Sequence, residues 1–496
     1  MASSGITALA DDDQSAHPGV MEKTKPPTEQ PVAPALTEEQ RVLDRKILRK
    51  IDLLILPICA MNHFFSSMDR SDIGNARLAG FKKDNHLSAI QFSTVVSMFH
   101  VGSIVCQPVG GLLIRFVEAY ILLGFANITW GICTIMLLFS TSVVLPSILR
   151  VLIGAAEGLT QINTVFITMW YTKEEIATRT GLWISFGALA GAFNGLIAWG
   201  VQHNIHSTTF KSWQVLFLLE GTFPIFFGPV ILYFYPSSPT RVKKYFSEED
   251  KEMCIARTQR AGNTIDRASS IREAMTIFRN PETYGMLIAH FCVLWAASGF
   301  ANFLPTIIDG LGFSAVESQL LTIPVCIVTF LSVNFFCYYS DRLQLRGPLI
   351  MGLAVVSAIG FTMLAALSSK GPRIFALYVI SFSVYSLIPL TLTFLCVNTV
   401  GLSRRALVIP IQNAFGQFGG LAVSYTYIHK PRYLEGTLTT IGFLCVLITT
   451  IGALDLYFIA QNRAKAADVG SEQWEKNRTK SFDELGTDHP EFTYTV

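Results

Sequence analysis

Residues Arg150 to Gly158 read RVLIGAAEG and sit inside an apolar run that extends from Val144 to Met169. Placing an arginine or a carboxylate at the centre of a membrane helix costs about 2.5–3.5 kcal/mol each, so two of them in one run need a reason. Glu157 follows Arg150 by seven residues, which on a helix puts both on one face to within about 20°. Gly154 and Gly158 thin the same side, where a neighbouring helix or a solute comes close. Two roles fit this face: a buried ion pair that locks helices together, or a proton or solute site lining a cavity. Intramembrane ionisable groups more often mark a transport path.

The surrounding chain has the composition of a membrane protein. Of its 496 residues 51% are hydrophobic and 15% charged, with a mean hydropathy of +0.42, where soluble domains carry about 25% charged residues. A spanning helix needs about 20 apolar residues. Twelve segments qualify: 51–73, 90–113, 118–140, 144–168, 182–203, 213–235, 284–308, 320–340, 348–368, 374–400, 406–428 and 438–460. The expected fold is all-α and polytopic, about twelve transmembrane helices in two six-helix bundles, 51–235 and 284–461. Between them, 236–283 opens on Pro236-Ser237-Ser238-Pro239 and is dense in charge. It predicts a connecting loop, with Ser247 capping a short surface helix.

Residues 1–36 are polar, include Asp11, Asp12 and Asp13, and hold no apolar signal-peptide core; a disordered tail is expected. Thr37 to Gln40 forms a capping box, and Leu43, Ile47 and Ile51 recur among Arg41, Arg45, Lys46, Arg49 and Lys50. That pattern predicts a short basic amphipathic helix lying on an anionic leaflet. With the N-terminus inside, inward-facing segments hold 28 of the 38 lysines and arginines and outward loops hold 8. The positive-inside rule then places both termini, 1–50 and 462–496, in the cytoplasm.

Several function classes drop out. A net charge of +2 is too small to recruit nucleic acid. Eight of nine cysteines lie in apolar spans and Cys254 in a charged loop, with no disulfide framework or metal spacing, so neither metal nor cofactor is expected. No Gly-Lys dipeptide occurs, which removes the phosphate loop of an ATP-driven pump. Two six-span halves joined by a charged loop instead predict a secondary transporter with its solute site between repeats. Glu157 lies near mid-depth, with Arg150 about 10 Å toward the outer end. Low dielectric penalises an ionised carboxyl, so Glu157 is suited to take a proton and release it when water or a cation arrives. Arg70 and Arg150 are suited to hold a carboxylate through two hydrogen bonds each. Asp69 and Arg70, near the outer end of the first span, also fit a plain interfacial pair. The chemistry called for is movement of a small organic anion with protons.

The run Met68-Asp69-Arg70-Ser71-Asp72-Ile73-Gly74-Asn75-Ala76 resembles the LDRxNIGNA signature of the anion:cation symporter family of the major facilitator superfamily. Within it the chain is similar to the fungal allantoate permease branch, which includes carriers of allantoate, nicotinate, pantothenate and biotin. Arg150 to Gly158 fits the fourth-span motif of that family, and Trp213 to Gly221 (WQVLFLLEG) its sixth span. Ser340-Asp341-Arg342 with Arg346 fits the loop between spans eight and nine, and Asn413 with Gly416, Gly419 and Gly420 the eleventh span. The resemblance implies that Asp69 and Glu157 handle protons, that Arg70 and Arg150 bind or gate the anion, and that Asp341, Arg342 and Arg346 form a conformational loop. Asp72 departs from the signature, which has asparagine there. The loop after the second span lacks the usual aspartate.

Asn194, His290, Asn302, Gln412 and Asn413 are further candidates for solute binding or gating, although membrane amides serve as often to join helices. Asn398 on the tenth span has a weaker claim. Gly187, Gly191 and Gly195 form a small-residue stripe suited to packing. The expected setting is a monomer in the plasma membrane, with the vacuolar membrane as the alternative. Export of an acidic secondary metabolite is the competing direction of transport.

Overall fold

The computed structural model describes residues 37–204, 210–242, 244–260, 271–309, 315–423, 425–426, 433–480 and 482–496. The tail read as disordered, 1–36, lies outside them. Among the described residues twelve helices are long and apolar enough to span a membrane, and the chain is all-α. The first half supplies Glu38–Leu78, Ala89–Leu113, Ala119–Met136, Val144–Thr160 continued by Ile162–Trp170, Ile176–Asn204 and Ser212–Phe234. The second supplies Pro281–Asp309, Ala315–Leu343, Arg346–Ala366, Lys370–Val397, Leu402–Val423 and Leu434–Ala467. They are called the first to twelfth spans. An even number of crossings leaves both described ends of the chain on one face, here the terminal face.

The two halves pack by the same rule. The first span lies on the fifth, the second on the fourth and the third on the sixth; the seventh lies on the eleventh, the eighth on the tenth and the ninth on the twelfth. The halves meet where the second span touches the eleventh and the fifth touches the eighth, contacts that exchange under the same pseudo-symmetry. Glycine sets the closest approach. A Cβ on Gly154 would sit 2.0 Å from the Phe99 carbonyl oxygen, and one on Gly102 would sit 2.0 Å from that of Val151. The second and fourth spans therefore touch backbone to backbone, which fixes the height of Arg150 and Glu157. Of the fifth-span stripe only Gly187 is needed for such an approach, against His63 and Ser67; a Cβ on Gly195 would meet nothing.

The basic amphipathic segment is not a separate helix on a leaflet. The capping box at Thr37 and Gln40 starts a helix that runs unbroken from Glu38 to Leu78, because Ile47, Ile51 and Ile55 bury one continuous stripe. The loop helix Glu248–Arg260 docks on this extension. Ser247 and Asp250 cap each other's backbone, Lys50 pairs with Asp250 at 2.8 Å, and buried Arg257 pairs with Asp44 at 2.7 Å and with Glu175. The fourth span breaks at Gln161, one turn past Glu157, where the sequence predicted a continuous helix.

The C-terminal segment folds back beneath the terminal face. Asn462 exchanges two hydrogen bonds of 2.9 Å with the Tyr494 backbone. Asn398, at the end of the tenth span, does the same for Thr495 at 3.0 and 2.8 Å. Tyr494 stacks on Phe458 at 4.6 Å. Asn398 thus holds the tail and does not face a path between the halves.

Candidate functional site

The charged residues of the first and fourth spans form two crossed ion pairs. Arg150 donates to Asp69 at 3.1 Å, and Arg70 Nε lies 3.6 Å from Glu157 Oε2. Arg150 and Glu157 do not pair with each other, although they share a helical face. Adjacent positions on the first span point about 100° apart, so Asp69 and Arg70 leave the helix in different directions, and each meets the opposite charge on the fourth span.

The pairs differ in solvation. Arg150 and Asp69 are 2% and 4% exposed; Thr134 of the third span donates to Asp69 at 3.0 Å and the Arg150 guanidinium lies 5.6 Å from the Phe99 ring centroid. This pair is sealed between three helices. Arg70 keeps 31% of its side chain exposed while Glu157 beneath it keeps 3%. Ser66 joins the second pair: its hydroxyl donates to Glu157 Oε2 and lies 3.1 Å from Arg70 Nη2. Glu157 Oε1 has no hydrogen-bond partner among the described residues. His63 of the first span and His100 of the second lie within electrostatic reach of Arg70, and His100 also reaches Gln417 of the eleventh span. The only guanidinium of the four-residue cluster that faces open space therefore has two imidazoles and a carboxyl around it.

The remaining candidates divide by burial. Asn194 is 1% exposed and ties the fifth span to the first, donating to the Met68 carbonyl and Ser71 Oγ and accepting from Asn75. His290 Nδ1 meets Thr391 Oγ1 at 2.8 Å, and Gln412 donates to the carbonyls of Met286 and Thr391. Both are fully buried among the seventh, tenth and eleventh spans. Asn413 is half-buried and crosses to the other half, donating to Gln161 at 3.1 Å. The side chain of Asn302 lies outside the described residues. Among the described amides, Asn413 alone joins the two halves at the level of the fourth-span break.

A second constellation closes the terminal face. Asp341, at the end of the eighth span, accepts from the backbone N–H groups of Ala177 and Thr178 at 3.1 and 2.6 Å, capping the fifth span from the opposite half. Arg346 donates to Asp341 at 3.1 Å and to the carbonyls of Thr393 and Lys173. Arg342 takes no part; it stays exposed and donates to Tyr338 at 3.0 Å, on the rim of a recess of about 410 Å³ that also exposes Asp52, Glu174 and Arg179. Lys173 lies over the Phe492 ring of the tail at 4.6 Å. Burial first, and then the Arg405 charge, pull its pKa from 10.5 to about 8.

Sequence reasoning passed over Ser66, His100, Thr134 and Gln161 as site residues. His63 carried a readable signal, standing seven residues before Arg70 on the same helical face. His100, an imidazole in an apolar run, carried another. Thr134 and Gln161 carried none, because their roles depend on which helix lies opposite.

A membrane bundle of twelve spans with repeated halves and a buried charged cluster within the first half has the architecture of a secondary transporter. The Major Facilitator Superfamily pattern matches residues 59–424, and the chain belongs to that family. It is 28% identical over 461 residues to a high-affinity nicotinic acid transporter of Saccharomyces cerevisiae, covering 91% of this chain and 85% of that one. It is 27% identical over 470 residues to the MFS-type transporter cnsO of Penicillium expansum, covering 91% and 90%. Among solved structures the proton:xylose symporter XylE aligns with a TM-score of 0.64 at 15% identity, over 81% of this chain and 95% of that one. That likeness concerns the fold. The chain is thus a transporter and not an enzyme.

Proposed function

We propose that this transporter carries a small organic anion together with protons, by alternating access around Arg70 and Glu157. The observation that carries the reading is the unequal solvation of their ion pair. Arg70 reaches open space with a planar donor fork suited to a carboxylate, and Glu157 holds it from the buried side. A solute carboxylate and an ionised Glu157 compete for one guanidinium. Protonation of Glu157 releases Arg70 to the solute, and deprotonation draws it back, so proton and anion move together. Asp69 and Arg150, sealed and paired with each other, hold the first and fourth spans in register and shape the field in which Arg70 works.

The similarity to a nicotinic acid transporter and the signature around Asp69 and Arg70 support the anion:cation symporter family and its allantoate permease branch, with a monocarboxylate or ureido acid as solute. The sorting of basic residues supports a cytoplasmic terminal face, and the family resemblance supports the plasma membrane. Asp341 and Arg346 then form the inner gate. The test is uptake of labelled nicotinate, allantoate, pantothenate and biotin by cells expressing the chain, at about pH 5 and about pH 7, with and without a protonophore. Accumulation of one acid that rises at low pH and collapses with the protonophore supports symport. Uptake indifferent to both overturns proton coupling, and net loss of a preloaded acid from energised cells supports export.

A further inference from the structure

A second pair of buried acids lies beside the first. Asp72 of the first span and Glu220 of the sixth are 0% and 4% exposed, next to the aromatic cluster of Phe81, Trp213 and Phe217 that covers this end of the bundle. Their side chains interact directly with each other. No donor reaches any of the four carboxyl oxygens among the described residues. The charged groups that act on both are Asp69, from the first span, and Arg150, from the fourth; the third span contributes Thr134, which donates to Asp69. Arg150 already donates to Asp69.

Three acids therefore surround one cation in a sealed space. An unbalanced buried charge is strongly disfavoured, and two acceptor-only carboxylates in contact add like-charge repulsion to an absent hydrogen bond. One proton between them removes both defects, since it gives one carboxyl a donor and the other something to accept. We propose that Asp72 and Glu220 form a second proton-binding site, holding a single shared proton in an acid–carboxylate hydrogen bond. The site titrates as a pair and not as two residues. The charge on Asp69 sets its affinity: if Asp69 is neutralised, Arg150 is freed to act on the remaining carboxylate. This proton site adds to the transport reading and does not depend on it.

Infrared difference titration of the purified full-length protein in liposomes reads this site without any solute, through the carbonyl stretch of protonated carboxyls. Asp72→Asn and Glu220→Gln each supply the missing donor as an amide, so each is expected to remove the same single band while leaving the protein folded. The double variant should lose no more than either single one. The Glu157 band persists in every variant; spectra in which either single substitution removes no band, or in which two bands are lost additively in the double variant, overturn the shared proton. Should one substitution prevent folding, Asp72→Glu or Glu220→Asp at that position keeps both carboxyls and is expected to shift the band that the other substitution removes; an unshifted band overturns the sharing. Uptake that proves indifferent to pH leaves the infrared result standing, so the two readings fail separately.

Discussion

Arg70 and Glu157 meet at 3.6 Å across the first and fourth spans, with the guanidinium side chain 31% exposed and the carboxyl 3%. The neighbouring pair, Arg150 and Asp69, has the same chemistry at 3.1 Å but is sealed on both sides. A buried pair is costly to break because the survivor is left charged and unsolvated. A half-open one can exchange partners. The division of work proposed for these two arginines, on one pair of helices, rests on that difference in burial.

Arg70→Lys keeps the charge and loses the planar fork. The expected result is an apparent KM for the transported acid raised about tenfold to a hundredfold, the equivalent of losing one charge-assisted hydrogen bond of about 1.5–3 kcal/mol. Membrane abundance should not change. Uptake kinetics normalised to surface protein make the measurement.

Arg150→Met should act on folding instead. It strands Asp69 in a site that only Thr134 still serves, a loss of about 3–5 kcal/mol. Thermal unfolding in detergent is expected to drop markedly, and Asp69→Asn on the same background to restore much of it. An unchanged melting temperature would assign Arg150 to solute binding.

Glu157→Gln retains the hydrogen bond from Ser66 but cannot ionise. Proton-driven accumulation should disappear, while counterflow exchange of preloaded solute continues at a rate that no longer varies with pH. Loss of both activities together would mark Glu157 as structural.

Lys173 predicts an alkaline limit to the terminal-face gate. The closed form holds its pKa near about 8, against 10.5 for a hydrated lysine, so opening, which hydrates the ammonium, takes up a proton between those values. The penalty on the closed form is full below about 8 and fades as pH rises toward 10.5. Raising pH through that window should favour closure. The distance between spin labels at Glu174→Cys and Arg342→Cys, on opposite halves around the terminal-face recess, reports the gate in a background without the nine native cysteines. The short-distance population should grow with pH, and Lys173→Met should flatten the profile.

The span count, the repeated halves and the identity of the charged residues were legible in the chain because membrane burial leaves a long, one-dimensional signal. About twenty apolar residues announce a helix whatever surrounds it, and a charge inside such a run stands out against its cost. The capping boxes at Thr37 and Ser247 were equally local. The continuation of the first helix to Leu78 was not, because burial of Ile47 and Ile51 requires neighbours that a single segment does not reveal. Asn398 looked like a path residue for the same reason: an amide's role depends on what it faces.

The sequence by itself determined that this protein crosses the membrane twelve times, that its charges concentrate at Asp69, Arg70, Arg150 and Glu157, and that it belongs among carriers. Only the tertiary structure decided that these four residues pair crosswise between helices, that Arg70 alone of them faces open space, and that Asp72 meets Glu220. Helical periodicity fixes the direction of a side chain about its own axis. Its partner is fixed by how closely the next helix approaches, and here that distance is set by glycines such as Gly102 and Gly154 acting between residues far apart in the chain.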